Sequence, residues 1–146
     1  MAVTSTLRRA GSQDLQHLLT MIHAFCEVDG HRFEQARIEK ALMPLLTDDQ
    51  YGGVWLIEPQ LGYAVITWGY SLESGGREAL IDELYVSQRN QGIGQAVIKD
   101  IVEIARAADC QVIFLESERH NEAARRFYAR QGFVIDDSIW MSRPLS

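Results

Sequence analysis

The sequence predicts a mixed α/β fold, a central and mostly antiparallel twisted sheet of about six or seven strands flanked by about four helices. Three observations support this. Apolar residues recur at helical spacing in four segments, short apolar runs bounded by Gly, Pro and Ser separate them, and hairpins come before a strand-helix alternation. The 146 residues, 47% apolar and 23% charged, suit one domain spanning 1–146 that can bury a core of its own.

Val3 to Arg9 alternates and carries β-branched residues, as a first strand does. Ser12 stands at an N-cap position and Asp14 in the first turn of a helix. Its stripe is Leu15, Leu18, Leu19, Ile22, Phe25 and Cys26, and Gly30 lies just past its end. A second helix, Glu34 to Leu46, sets Ile38, Leu42, Leu45 and Leu46 on one side, and Pro44 inside it is expected to kink or shorten it. Gly53 to Glu58 and Gly62 to Leu72 read as a hairpin around Pro59-Gln60-Leu61. Ser74-Gly75-Gly76 then turns into a third strand of this block, Ala79 to Val86. A glycine-bearing loop opens a helix striped by Val97, Ile98, Ile101, Ile104, Ala105 and Ala108. Gln111 to Glu116 is the next strand and Asn121 to Arg130 the next helix, and Gly132-Phe133 begins the final strands, which run to Leu145.

The net charge of −6, from 20 acidic and 14 basic residues, argues against nucleic acid as a partner, because phosphate binding wants a basic surface. It weakly favours a cationic substrate. No run approaches the roughly 18 apolar residues of a membrane span. Met1 to Ala10 holds two arginines with no apolar run or cleavage signal after them, so a cytoplasmic protein with no secretory peptide and no membrane partner is expected. Cys26 and Cys110, in apolar and helix-like surroundings, lack metal-ligand spacing and are expected to be buried free thiols; no metal site is expected. The oligomeric state stays open, a homodimer included.

The segment Leu84-Tyr85-Val86-Ser87-Gln88-Arg89-Asn90-Gln91-Gly92-Ile93-Gly94-Gln95 joins a strand to a helix. Two glycines at a helix start expose backbone N–H groups, the helix dipole adds partial positive charge, and Arg89 can add a charge-assisted contact. Such a loop can hold an anion on an acidic protein; equally, Gly92 and Gly94 can serve only a tight turn. The absence of Gly-Lys-Ser/Thr excludes a P-loop, and Val97 stands where a dinucleotide fingerprint needs its third glycine.

A second segment, Asn121-Glu122-Ala123-Ala124-Arg125-Arg126-Phe127-Tyr128-Ala129-Arg130-Gln131-Gly132-Phe133, places Asn121 and Tyr128 seven residues apart on one helix face. They are about 10 Å apart along the axis, with small Ala124 between them. That face could cradle an extended chain. Asn121 also suits an N-cap, and Tyr128 a core aromatic.

Together the two segments resemble a known family. Arg89 to Gly94 resembles the Arg/Gln-x-x-Gly-x-Gly/Ala signature of the GNAT acetyltransferases, and Asn121 to Phe133 resembles that family's Asn-x-x-Ala-x-x-x-Tyr followed by Gly-Phe. The order of elements is similar over nearly the whole chain. The resemblance implies an N-acetyltransferase using acetyl-coenzyme A as donor, with direct attack by an amine in a ternary complex. It also implies a cofactor site of Leu84, Tyr85, Val86, Arg89, Asn90, Gln91, Gly92, Ile93, Gly94, Gln95, Asn121, Ala124 and Tyr128. In one place the chain departs from the family. Only Ser87 and Gln88 separate Val86 from Arg89, fewer than is usual there, which changes the angle at which Arg89 meets a phosphate.

Acetyl transfer needs a deprotonated amine, donors for the oxyanion and an acid for the departing thiolate, and a lysine-like amine titrates near about 10.4. Glu83 is the first choice for the base, directly or through water, and Asp82 the alternate. Successive strand residues face opposite sides, so at most one enters the cleft, and a bulge would reverse which one does. Tyr128 is the acid that the resemblance implies. Phe25, Glu27, Asp29, His31, Trp68, Tyr70 and Glu73 are candidates to hold the acceptor, a small amine (polyamine, amino acid or aminoglycoside-like) or a peptide amine. Glu116 or Glu118 faces either the cleft or solvent. Two other readings compete: a non-catalytic, regulatory coenzyme A-binding domain, and an α/β protein binding NAD or ATP.

Overall fold

The computed structural model describes residues 6–88 and 92–146. In chain order it runs β1 (Thr6–Arg9), a single 3-10 turn (Ser12–Asp14), α1 (Leu15–Asp29), α2 (Gln35–Thr47), β2 (Gly52–Glu58), β3 (Gly62–Ser71), β4 (Gly76–Val86), α3 (Ile93–Ala107), β5 (Val112–Leu115) and α4 (Glu122–Arg130). The five strands form one sheet in the order β1-β2-β3-β4-β5, antiparallel except for the parallel β4–β5 pair that α3 connects. The mixed, mostly antiparallel sheet with four helices is the fold the residues predicted, with fewer strands than expected.

Two compact units make up the chain, Met1–Glu116 and Ser117–Ser146. The first holds the whole sheet. β2 is buried along almost its full length, which is why Val54-Trp55-Leu56-Ile57 reads as an unbroken apolar run rather than an alternation. Leu18, Leu19, Met21 and Ile22 of α1 and Leu42 and Leu46 of α2 pack with Ala10, Val54, Leu56, Tyr63 and Val65 into one core cluster. The residues between those strand positions, Trp55, Ile57, Ala64 and Ile66, are buried on the opposite face. α3, with Val97, Ile98, Ile101 and Ala105 buried, packs on β1, β4 and β5. Arg9 ties the α2–β2 connection to β1. Its guanidinium pairs with Asp49 at 2.6 Å, donates to the carbonyls of Leu45, Asp48 and Gly52, and lies 4.9 Å from the Trp55 ring centroid.

Several boundaries differ from expectation. Ser12 does not cap α1; it opens the 3-10 turn, and the Asp14 carboxylate accepts from the Gly11 N–H at 2.9 Å. Pro44 does not shorten α2, which runs three residues beyond it to Thr47. β4 begins at Gly76 rather than Ala79, paired to Ser71 across the turn. Cys26 and Cys110 are free but only half-buried, and Cys110 lies in the turn after α3 rather than on a helix.

In the second unit, α4 has Asn121 as its N-cap and contains no fully buried residue. The final strands expected from Gly132 to Leu145 are not formed; the segment carries strand-forming residues but no assigned strand pairing. Strand hydrogen bonds, unlike those of a helix, need a second strand. Among the described residues, no helix is long and apolar enough to cross a membrane.

Candidate active site

β3 and β4 pair in register from Gly62↔Val86 to Val65↔Glu83, and then the partner of Ile66 is Ile81. Asp82 is therefore the extra residue of a β-bulge, and Glu83 and Ile81, two apart in sequence, fall on opposite faces of the sheet. Ile81 goes with Ile66, away from α1 and α2. Glu83 goes with Val65, on the face those helices cover, and Asp82 is left largely open to solvent.

Glu83 is only partly exposed. Its Oε1 accepts a 2.7 Å hydrogen bond from the hydroxyl of Tyr63, itself fully buried. Burial pushes the Glu83 carboxyl above the usual carboxylate range; the Tyr63 hydrogen bond works the other way, and the charges of Asp82, His31 and Asp29 act more weakly. Burial, helped by the adjacent carboxylate, pushes the Tyr63 phenol so far up that it stays a donor. Tyr63, Tyr85 and Phe25 form a triangle of rings with centroids 5.9–6.3 Å apart on this face. Asp82 is also pushed up, by partial desolvation alone.

Of the acceptor-site candidates, Phe25 packs on Tyr63, and Asp29 and His31, 2.7 Å from each other, bear on the charge of Glu83. The other four lie elsewhere. Glu27 is exposed on α1 beside His23, the Trp68 indole donates to the Asp49 carbonyl, Tyr70 is 79% exposed, and Glu73 sits in the β3–β4 turn. Glu116 and Glu118 are exposed. Tyr63 was not among the candidates, although Gly62-Tyr63 opens a strand in which Tyr63 shares a face with Val65. Alternation shows that shared face but not which residue stands opposite.

The end of β4 is open on one side. β5 pairs only from Glu78↔Val112 to Ile81↔Leu115, so from Asp82 to Val86 the β4 backbone groups directed away from β3 have no strand partner among the described residues. Leu84, Tyr85 and Val86 lie on this stretch, bonded to β3 on their other side. The chain then reaches Gly92, whose φ of 74° caps α3 in the left-handed region that glycine adopts most cheaply. The tight-turn role is thus filled, and the first-turn N–H groups of Ile93, Gly94 and Gln95 are left without helical acceptors. Arg89, Asn90 and Gln91 lie outside the described residues.

In the second unit the Asn121 side chain accepts from the Ala124 N–H at 3.1 Å, the N-cap arrangement. Tyr128 meets Phe127 and Phe133 edge-on, at 5.2 and 5.8 Å between centroids, and burial pushes its phenol up. Among the described residues no group of three or more His, Cys, Asp or Glu is placed to hold a metal ion.

The model of the acetyltransferase (GNAT) family matches residues 15–133. The chain belongs to that family. No curated protein matches it significantly. Among solved structures, a protein of Arthrobacter sp. FB24 provisionally named an acetyltransferase is 25% identical over 99% of each chain, with a TM-score of 0.84. An integron cassette protein from the mobile metagenome of Cole Harbour Salt Marsh is 23% identical, covering 96% of this chain and 90% of its own, with a TM-score of 0.84. An aminoglycoside acetyltransferase from an uncultured soil metagenomic sample, solved in complex with sisomicin, is 17% identical over 98% and 97%, with a TM-score of 0.80. As a GNAT domain, the chain has the open β4 end and the α3 N-terminus in one unit with a carboxylate gripped by a buried tyrosine.

Proposed function

We propose that this GNAT domain transfers an acetyl group from acetyl-coenzyme A to a primary amine by direct attack, with Glu83 as the base and Tyr128 as the acid. The observation that carries the reading is Glu83, a half-buried carboxylate with a raised pKa, held by Tyr63 beside a strand end whose outer backbone groups have no strand partner among the described residues. These residues fit the donor. The unpaired β4 edge at Leu84, Tyr85 and Val86 can bond an extended amide-bearing arm as an added strand does, and the amides of Gly92, Ile93, Gly94 and Gln95 suit a diphosphate. Arg89, Asn90, Gln91, Asn121 and Ala124 are assigned to the same donor on the motif. The bound thioester supplies the activated acyl carbon. Glu83 takes the proton from the amine, directly or through water, with Asp82 the alternate base. Backbone N–H groups of the bulged strand are free to polarise the carbonyl. Tyr128, kept protonated by its raised pKa, gives a proton to the leaving sulfur.

For the acceptor we favour a small cationic amine over a peptide amine. Aromatic rings beside Glu83 and Asp29 suit an ammonium group, the net charge of −6 attracts cations, and two structures sharing the fold are named aminoglycoside acetyltransferases. The free cysteines fit a reducing, cytoplasmic setting.

Thermal shifts with acetyl-coenzyme A, NAD and ATP test the donor. At about 100 times its dissociation constant the true ligand adds roughly 2.7 kcal/mol, and acetyl-coenzyme A alone is expected to do so. A shift with NAD or ATP instead would remove the reading. The regulatory alternative predicts the same shift without amine-dependent turnover.

A further inference from the structure

Asp29 stands where the stripe of α1 calls for an apolar residue. Leu18, Ile22, Phe25 and Asp29 succeed one another at spacings of four, three and four, so they share one line along the helix. Leu18 and Ile22 are buried in the core, and Phe25 lies against Tyr63 and Tyr85, with ring centroids 6.3 and 6.0 Å away. Asp29 prolongs that line by one turn, about 5.4 Å, beyond Phe25. It is also the last residue of α1, whose final turn carries no basic residue, and a negative charge there opposes the helix dipole. Neither the stripe nor the dipole favours a carboxylate, yet the chain holds this one in place. Gly30, at φ 72°, turns the backbone so that the His31 N–H meets the Cys26 carbonyl at 3.0 Å, and the imidazole Nε2 stands 2.7 Å from Asp29 Oδ2. Residues that break a local rule are expected where function demands them. The charge of Asp29 reaches Glu83, and all of these groups belong to the unit Met1–Glu116.

We propose that Asp29 is a specificity-determining residue for the acceptor, selecting an amine that carries a second ammonium group. In the acetyl-transfer reading, on which this rests, Glu83 takes the proton of the amine that is acylated. Asp29, oriented by His31, holds the distal ammonium, which keeps its own proton. The rings of Phe25, Tyr63 and Tyr85 give the methylenes between the two nitrogens an apolar wall. An alkylamine of the same length that ends in a methyl group leaves the Asp29 carboxylate without a counter-charge, so the selection is one of charge.

Titration calorimetry on the full chain, with coenzyme A present, compares putrescine and cadaverine with butylamine and pentylamine, which lack the second ammonium. The diamines are expected to bind about tenfold more tightly, as a hydrogen bond to a charged group allows. Asp29→Asn is expected to abolish that preference. Glu27→Gln removes the same charge from the same helix, two residues away and beside His23, and is expected to keep it. Equal affinity for diamines and monoamines in the wild type overturns the proposal. So does a preference that survives Asp29→Asn, or one lost equally in Glu27→Gln. Thiol release from acetyl-coenzyme A with the same amines separates the two readings. Release that is equal for butylamine and putrescine overturns the role of Asp29 and leaves acetyl transfer standing. A diamine preference in binding with no release by any amine overturns acetyl transfer and supports the role of Asp29.

Discussion

Glu83 and Tyr63 form the pair on which the proposed chemistry turns, and the titration of Glu83 has a definite sign. Burial raises the Glu83 pKa above its unfolded value. The folded state therefore binds this proton more tightly, so the stability the group contributes is complete below the ordinary carboxylate pKa and is lost as pH rises through the raised value. A base must be ionised, so the acid limb of kcat/KM is predicted to lie above the pH expected of a free glutamate. Removing the Tyr63 hydroxyl takes away a hydrogen bond that favours the ionised carboxylate. Tyr63→Phe should move that limb further up in a pH–rate profile while turnover well above it largely survives. Tyr128→Phe should lower kcat by about 100-fold with acetyl-coenzyme A affinity kept, as titration calorimetry with single-turnover kinetics would show. The residue types of this site were legible from sequence, but their grouping was not. Glu83 and Asp82 stood out as neighbouring carboxylates, whereas Tyr63 acquires its role only through a β3–β4 register, which no local pattern encodes.

At the scale of elements, the bulge at Asp82 orients Glu83, and caps at Gly92 and Asn121 begin α3 and α4. The bulge puts Glu83 on the α1–α2 face while Ile81 stays on the other. Strand alternation alone left the two carboxylates equivalent, because an extra residue leaves no mark on hydrophobic period. Gly92 holds φ 74° with open space around its α-carbon, so conformation rather than crowding calls for glycine. Gly92→Ala is predicted to cost about 1 kcal/mol in urea unfolding and to weaken acetyl-coenzyme A binding. Asn121 is the N-cap of α4 through Ala124, so Asn121→Ala should destabilise by about 1 kcal/mol and Asn121→Ser by much less. If Asn121 also bonds the donor, Asn121→Ser keeps the stability and loses affinity. Helices α2 and α4 were readable to within a residue because their stripes and caps are local signals; the start of α1 was not, because Asp14 bonds back to Gly11 and a 3-10 turn stands where a cap at Ser12 was expected.

At the scale of the whole molecule, the order of strands and helices was legible because each element has its own period, and family membership because two motifs stand in the right sequence. The last strands were misread: Phe133 to Leu145 has strand-like residues, and sequence does not say where a partner edge lies. The proposed acceptor is likewise unwritten in any motif, since the residues assigned to it come from α1, β3 and β4, where Phe25, Tyr63 and Glu83 meet only through packing. The central claim is that Glu83 deprotonates an amine for acetyl transfer. Its most direct test is amine-dependent thiol release from acetyl-coenzyme A across pH, for the wild type and Glu83→Gln, over a panel of polyamines, aminoglycosides and peptides. The account predicts release by the wild type with a cationic small amine, and a fall of about 100-fold or more in Glu83→Gln with acetyl-coenzyme A binding retained. Equal turnover by both proteins, with the same acid limb, would contradict it.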